Sequence, residues 1–184
     1  MADIDSDWNS DQILHARGVF TIFGEINADT CQQVVQFIMA HNMVTRPKTK
    51  NITLVINSEG GSLLDAFAVI DVIRSSAVPV HTLGIGQISS AALMIFMAGH
   101  SGQRVITANT SILSHQWDGS FTGKLHELMS MKTDMELTQA RVINHYREFS
   151  CLDTDAIQKL LLPPHDVFLS AAQAVEYGIA DRIQ

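Results

Sequence analysis

"NITLVINSEGGSLLDAFAVIDVIRS", residues 51–75, begins as an unbroken apolar run, turns through a glycine pair and ends as an amphipathic stretch. A short run with no polar face suits a strand covered on both sides, as the strands of parallel sheets are. Ser62, with Asp65 three residues later, resembles a capping box, and Ala66, Phe67, Ile70 and Ile73 supply one apolar face, so a helix is expected after the turn. The same pattern recurs downstream: "VPVHTLGIG" (78–86) has strand character and "SSAALMIFMAG" (89–99) helix character. Upstream, "GVFTIFG" (18–24) is a β-branched and aromatic run between glycines, followed by "ADTCQQVVQFIMAHN" (28–42) with Val34, Val35, Ile38 and Met39 at helical spacing. Alternating strands and helices with fully apolar strands predict an α/β domain with largely parallel sheets.

The flanks complete the pattern. "QRVITAN" (103–109) and "SILSHQ" (111–116) are two further strand-like runs, and "RPKTK" (46–50) is a basic loop. The longest helical stretch is 123–150, where Leu125, Leu128, Met129, Met135, Val142, Ile143 and Tyr146 recur mostly at intervals of three, four or seven. Its length, close to 40 Å at ~1.5 Å per residue, would carry it beyond a compact body. A short helix from Asp153 to Leu162 stops at Pro163–Pro164, and "SAAQAVEYG" (170–178) is a last helix with Ser170 and Gln173 as a capping box and Gly178 at its C-terminal end. Residues 1–17 carry little apolar periodicity and are expected to form a mobile arm before a single domain at 18–184.

Composition narrows the function. A chain of 184 residues can bury roughly 70% of its unfolded surface as one domain, and with 46% apolar against 17% charged residues it should have apolar surface left over for subunit interfaces. A net charge of −7 and only twelve Lys and Arg, without a basic stripe, exclude a nucleic-acid footprint. No apolar run approaches membrane-spanning length, and the acidic start has no signal-peptide character, so a soluble cytoplasmic protein is expected. Cys31 and Cys151 are isolated thiols, which suits a reducing compartment.

In α/β folds, reactive groups gather where strands turn into helices. Two such turns stand out: "NSEGGSLL" and "GQISSAAL". Gly60–Gly61 could bare backbone amides to an oxyanion, or simply make a tight turn. Ser89 and Ser90 could include a nucleophile, or simply start a helix. A serine nucleophile needs a base and the base needs an orienting partner. Among eight histidines, His115 ends a strand-like run before a glycine-containing turn. His165 beside Asp166 in "PPHDVFLS" is its rival, whereas His126 and His145 on the long helix are expected to be solvated, His81 lies within a strand, and His15, His41 and His100 lie at element edges. The spacing fits no metal motif, and no cofactor is implied.

Taken together, these motifs resemble those of the proteolytic subunit of the Clp (caseinolytic) protease, a family of serine peptidases. "INSEGGS" is similar to the family's I-N-S-P-G-G-S, "GQISSAA" to G-Q-A-A-S-M-G, "ILSHQ" to M-I-H-Q-P, and "DVFLSAAQAVEYGIAD" to D-x-F-[LM]-S-A-x-E-A-x-E-Y-G-[LI]-x-D, in the same order from about residue 18 to 183. The resemblance implies the ClpP/crotonase-like spiral of β-β-α units with a long protruding handle helix: a head at about 18–122 and 165–184, and a handle at about 123–164. It implies Ser90, His115 and Asp166 as catalytic triad and the backbone amides of Gly61 and Ala91 as oxyanion hole. Substrate would lie extended between Gly60, Gly61, Ser62 and Leu63 on one side and Gly119, Ser120 and Phe121 on the other. The implied partners are copies of the chain in two stacked seven-membered rings, an AAA+ ATPase unfoldase, and unfolded proteins or peptides as substrates of ATP-dependent endopeptidase action. Two alternatives stand beside this reading, a non-catalytic or partner-activated ring subunit and a crotonase-type acyl-CoA enzyme. Glu59, Ala91, Ala92 and Trp117 stand where the family has Pro, Met, Gly and Pro. The start of the chain lacks the family's Tyr-containing lead-in to its docking loops.

Overall fold

The computed structural model describes residues 9–44 and 49–184. In chain order its elements are α1 (Ser10–Ala16), β1 (Val19–Phe23), α2 (Ala28–Met43), β2 (Ile52–Ser58), α3 (Leu63–Ser75), β3 (Val80–Ser89) and α4 (Ala91–Met97). They continue as β4 (Arg104–Ile106), β5 (Ser111–Ser114), α5 (Leu125–Phe149), α6 (Thr154–Leu160), β6 (Val167–Leu169), α7 (Ala171–Glu176) and β7 (Arg182–Ile183). Strands β1, β2, β3, β4 and β7 lie side by side, all parallel, which is the α/β fold that the apolar strands predict.

The long strand β3 serves two neighbours in succession. Thr82–Gly84 pair with β4, and Gln87–Ser89 pair with β5. Between them the register against β2 shifts, and Gly86 takes φ +60 with its Cα against Asn57, whose Oδ1 accepts from the Gln87 amide at 3.0 Å. A β-carbon at Gly86 would fall 2.5 Å from that Oδ1, so glycine is required at the bend. Helix α4, apolar all round and buried at every position, follows β3 directly and anchors the core against β2, α3 and α5.

Several local expectations need correction. Residues 10–16, expected to lack regular structure, form α1, capped reciprocally by Asn9 and Gln12 and packed on β1 through His15, which stacks on Phe20. Residues 1–8 of that expected arm, and most of the basic loop at 46–50, lie outside the described residues. On α2 the buried face is Cys31, Val34, Phe37 and Ile38, while Met39 is exposed, because the stripe follows steps of three and four through Phe37. Ser62 caps α3 by accepting from the Asp65 amide at 3.3 Å, one half of the expected box, whereas Ser170 and Gln173 close the full box on α7.

Helix α5 is buried only through Thr138, Val142, His145 and Tyr146. Leu125, Leu128, Met129 and Met135, read above as part of one apolar face, are exposed in the single chain. At the other end, Arg104 grips Asp181 with two hydrogen bonds to its carboxylate and donates to the Phe149 carbonyl at 2.7 Å, tying β4 and the chain terminus to the end of α5. Burial alone would push the Asp181 carboxyl up, but the Arg104 bonds and charge hold it below the usual range. Among the described residues no helix is long and apolar enough to cross a membrane.

Candidate active site

Ser90 lies at the junction of β3 and α4 with φ 55 and ψ −122, the one non-glycine residue at positive φ among those described. It occupies the N-cap position of α4, yet its side chain makes no capping hydrogen bond. Helix starting therefore does not account for the serine. A backbone of this kind costs about 1–3 kcal/mol and persists only where the surroundings impose it. Here the Ser90 amide donates to Leu113 O at 3.0 Å and the Ser90 carbonyl accepts from Met94 N at 3.2 Å. Ser89, by contrast, ends the strand and is buried.

The glycine pair presses against this serine. A β-carbon on Gly60 (φ +101) would fall 2.7 Å from Ser89 O and 2.8 Å from Ser90 Cβ. One on Gly61 (φ +145) would run into the Ile26 carbonyl. Ile26 N donates to Gly60 O at 2.8 Å and Ser62 N donates to Ile26 O at 2.7 Å, a parallel bridge in which Gly61's own N–H points away from Ile26. Ser58 Oγ accepts from the Gly60 amide at 3.1 Å and steadies the turn. The amide of Ala91, first residue of α4, has no acceptor within the helix.

Ser90, Ala91, Gly61, Ser62, Leu63 and His115 line one cavity of about 190 Å³. Its remaining wall is Met94, Val142, Tyr146, Trp117 and Asp118. Of the other candidate residues, Gly60 backs Ser90, Gly119 and Phe121 line an adjoining cavity, and Ser120 is exposed. Asp166 is exposed and does not line the cavity; among the described residues no hydrogen bond joins the side chains of Ser90, His115 and Asp166. Strand pairing nevertheless relates the last two. β5 and β6 are antiparallel with Ile112 opposite Leu169 and Ser114 opposite Val167, so the same register extended by one residue sets His115 opposite Asp166. Directly opposed residues of an antiparallel pair project to the same face. His165 falls one step further out and does not line the cavity.

Residues on either side of His115 are tied down. Ser114 Oγ donates to Leu161 O at 2.7 Å and so receives the Tyr146 hydroxyl proton at 2.8 Å, all of it buried. Gln116 Nε2 donates to Leu162 O at 2.8 Å. Burial pushes the Tyr146 phenol up to about 12, against the contrary pull of Ser114. Neighbouring His145 was expected to be solvated and is instead buried: its Nε2 has no partner, and burial, partly offset by a hydrogen bond to the Met94 backbone and reinforced by Arg74, brings its pKa down to about 4. Ser114 and Gln116 fall within the quoted "ILSHQ" and Tyr146 within the long-helix stripe, but nothing in their spacing marks them as the ties that hold the strand of His115. No group of His, Cys, Asp or Glu able to hold a metal ion occurs among the described residues.

The family model for the Clp protease matches residues 5–184, a span that contains the glycine turn, Ser90, His115 and Asp166. The chain belongs to the Clp protease family. A protein from Pleurastrum terricola named ATP-dependent Clp protease proteolytic subunit is 28% identical over 170 residues, covering 92% of this chain and 85% of that one. Membership of the Clp protease family supports a proteolytic subunit. Of the positions that depart from the family's pattern, Ala91 and Trp117 line the cavity and Ala92 is buried in the core.

Proposed function

We propose that the chain is the serine endopeptidase subunit of a cytoplasmic ring-forming protease. The observation that carries this is Ser90: a strained, uncapped serine beside His115 in one cavity, flanked by the amides of Gly61 and Ala91. In the reaction, His115 removes the proton of Ser90 as its Oγ attacks a peptide carbonyl. The Gly61 and Ala91 amides bind the tetrahedral oxyanion, each worth roughly 2.7–4 kcal/mol of transition-state stabilisation. Asp166, opposite His115 in the strand register, fixes the imidazole tautomer and stabilises the imidazolium. His115 then protonates the leaving amine, and water hydrolyses the acyl-enzyme. The free edge at Gly61 would take up the substrate as an added strand, running toward Gly119–Phe121, so recognition rests largely on main-chain bonds. Labelling with a fluorophosphonate probe tests this: modification confined to Ser90, lost in Ser90→Ala, is expected, and labelling that persists in that variant overturns it.

A second reading concerns when the site works. The open hydrogen bonds among Ser90, His115 and Asp166 favour a site that closes on assembly. The exposed Leu125, Leu128 and Met129 of α5 are the surface through which rings of this chain would stack, with an AAA+ ATPase unfoldase feeding them. Probe labelling confined to the oligomer, with none in the monomer, is the expected result.

A further inference from the structure

Trp117 and Asp118 belong to the walls of two adjoining cavities. One is the space of about 190 Å³ over Ser90 and His115. The other, about 750 Å³, lies between residues 116–121 and α5, where Phe121, Met135 and Gln139 line it. Asp118 is exposed, whereas the indole is partly buried against the core and is held by one hydrogen bond. Its Nε1–H donates to Gln139 Oε1 at 3.0 Å, which pins the loop to α5. Beside it, a β-carbon at Gly119 would fall 2.8 Å from the Phe121 ring and 3.5 Å from the indole, so the glycine leaves the Phe121 ring room next to the loop.

The smaller cavity has an apolar floor of Met94, Val142 and Tyr146, all three buried in the core. An apolar side chain fits it chemically, and its size is limited by whatever closes the side facing the larger space. We infer that Trp117 is a specificity-determining residue: latched to Gln139, its indole partitions the two cavities and restricts the substrate residue on the acyl side of the scissile bond to small and medium apolar side chains. Without the latch the cavities join and bulky aromatic side chains enter. This inference rests on the serine-peptidase reading of Ser90.

The experiment uses the assembled protein and fluorogenic peptides that differ only in carrying Ala, Leu, Phe or Trp before the scissile bond. Wild type cleaves the Ala and Leu peptides in preference to Phe and Trp. Trp117→Ala raises the Phe-to-Ala ratio of kcat/KM by about tenfold or more, the range a filled or vacated apolar pocket commands. Gln139→Leu, which keeps the indole but removes its acceptor, moves the ratio in the same direction by less, and it decides the matter if Trp117→Ala fails to assemble. Trp117→Phe stays nearer to wild type. Fluorophosphonate labelling of Ser90 runs in parallel. Labelling with an unmoved ratio in the variants overturns the partition alone; no labelling and no cleavage in wild type overturns the peptidase reading and the partition with it.

Discussion

Gly60 lies so close to Ser90 that a β-carbon on the glycine would come within 2.8 Å of the serine's own. With Gly60 at φ +101 and Ser90 at φ 55, two unusual backbones support one another. Gly60→Ala is therefore expected to lose probe labelling at Ser90 and to destabilise the fold by about 1–3 kcal/mol, the cost of overpacking a tight site. Denaturant unfolding followed beside labelling checks both; an alanine tolerated without loss of either contradicts the packing argument.

Replacing Ser90 itself separates strain from chemistry. Both Ser90→Ala and Ser90→Gly abolish peptide cleavage. Ser90→Gly nevertheless unfolds at higher denaturant than Ser90→Ala, by about 1–2 kcal/mol, because glycine adopts the required backbone without strain. Equal midpoints would mean that the backbone at this junction stores no strain.

His115→Ala reduces cleavage as far as Ser90→Ala does, whereas His165→Ala leaves most of it. Asp166→Asn, which keeps shape and removes charge, lowers kcat by roughly 10⁴-fold if the aspartate sets the imidazole tautomer. Equal losses from His115→Ala and His165→Ala would contradict the assignment of His115 as base.

Acid should weaken the fold through His145. Its pKa is brought down from 6.5 to about 4 by burial, so between these values the unfolded chain binds a proton that the native chain refuses. The contribution is fully present above pH 6.5 and is lost as pH falls toward about 4, on the order of 3 kcal/mol in all. His145→Phe, which cannot titrate, flattens that part of the stability profile; an unchanged slope between pH 6.5 and 4 would locate the effect elsewhere.

Assembly is expected to depend on the exposed side of α5. Leu125→Glu with Met129→Glu places charge on a surface whose residues are 78% and 59% exposed in the single chain, so it spares the monomer and breaks the ring stack. Native mass spectrometry reports the change; a wild type that stays monomeric at high concentration removes the interface.

Much of this was legible in the sequence because apolar runs and turn residues leave strong local signals. "NITLVIN" and the glycine pair locate β2 and the turn after it, and Ser170 with Gln173 marks the start of α7. The same local reasoning is ambiguous for Ser90, since an N-cap serine and a strained one share the same neighbours; the backbone angles and the missing cap bond distinguish them. Helical spacing alone leaves His145 among solvated positions, because it does not reveal that α4 lies against that face of α5, where the Met94 backbone meets the imidazole. Strand β6 is only three residues long and carries no alternation, so the register that sets His115 opposite Asp166 appears only once β5 is beside it.

The two carbonyls at Leu161 and Leu162, which receive Ser114 and Gln116, have a mechanical consequence. They sew the histidine's strand to the segment that leads directly into Asp166, and Tyr146 joins α5 to the same seam. His115 and Asp166, the proposed base and orienting acid, are thus tied to one seam, and β5 joins that seam to β3 and to Ser90, whose amide bonds to Leu113 O. A force applied along α5 would therefore reach Ser114, next to His115, through the Tyr146 hydroxyl, and spread from there to both neighbours of β5.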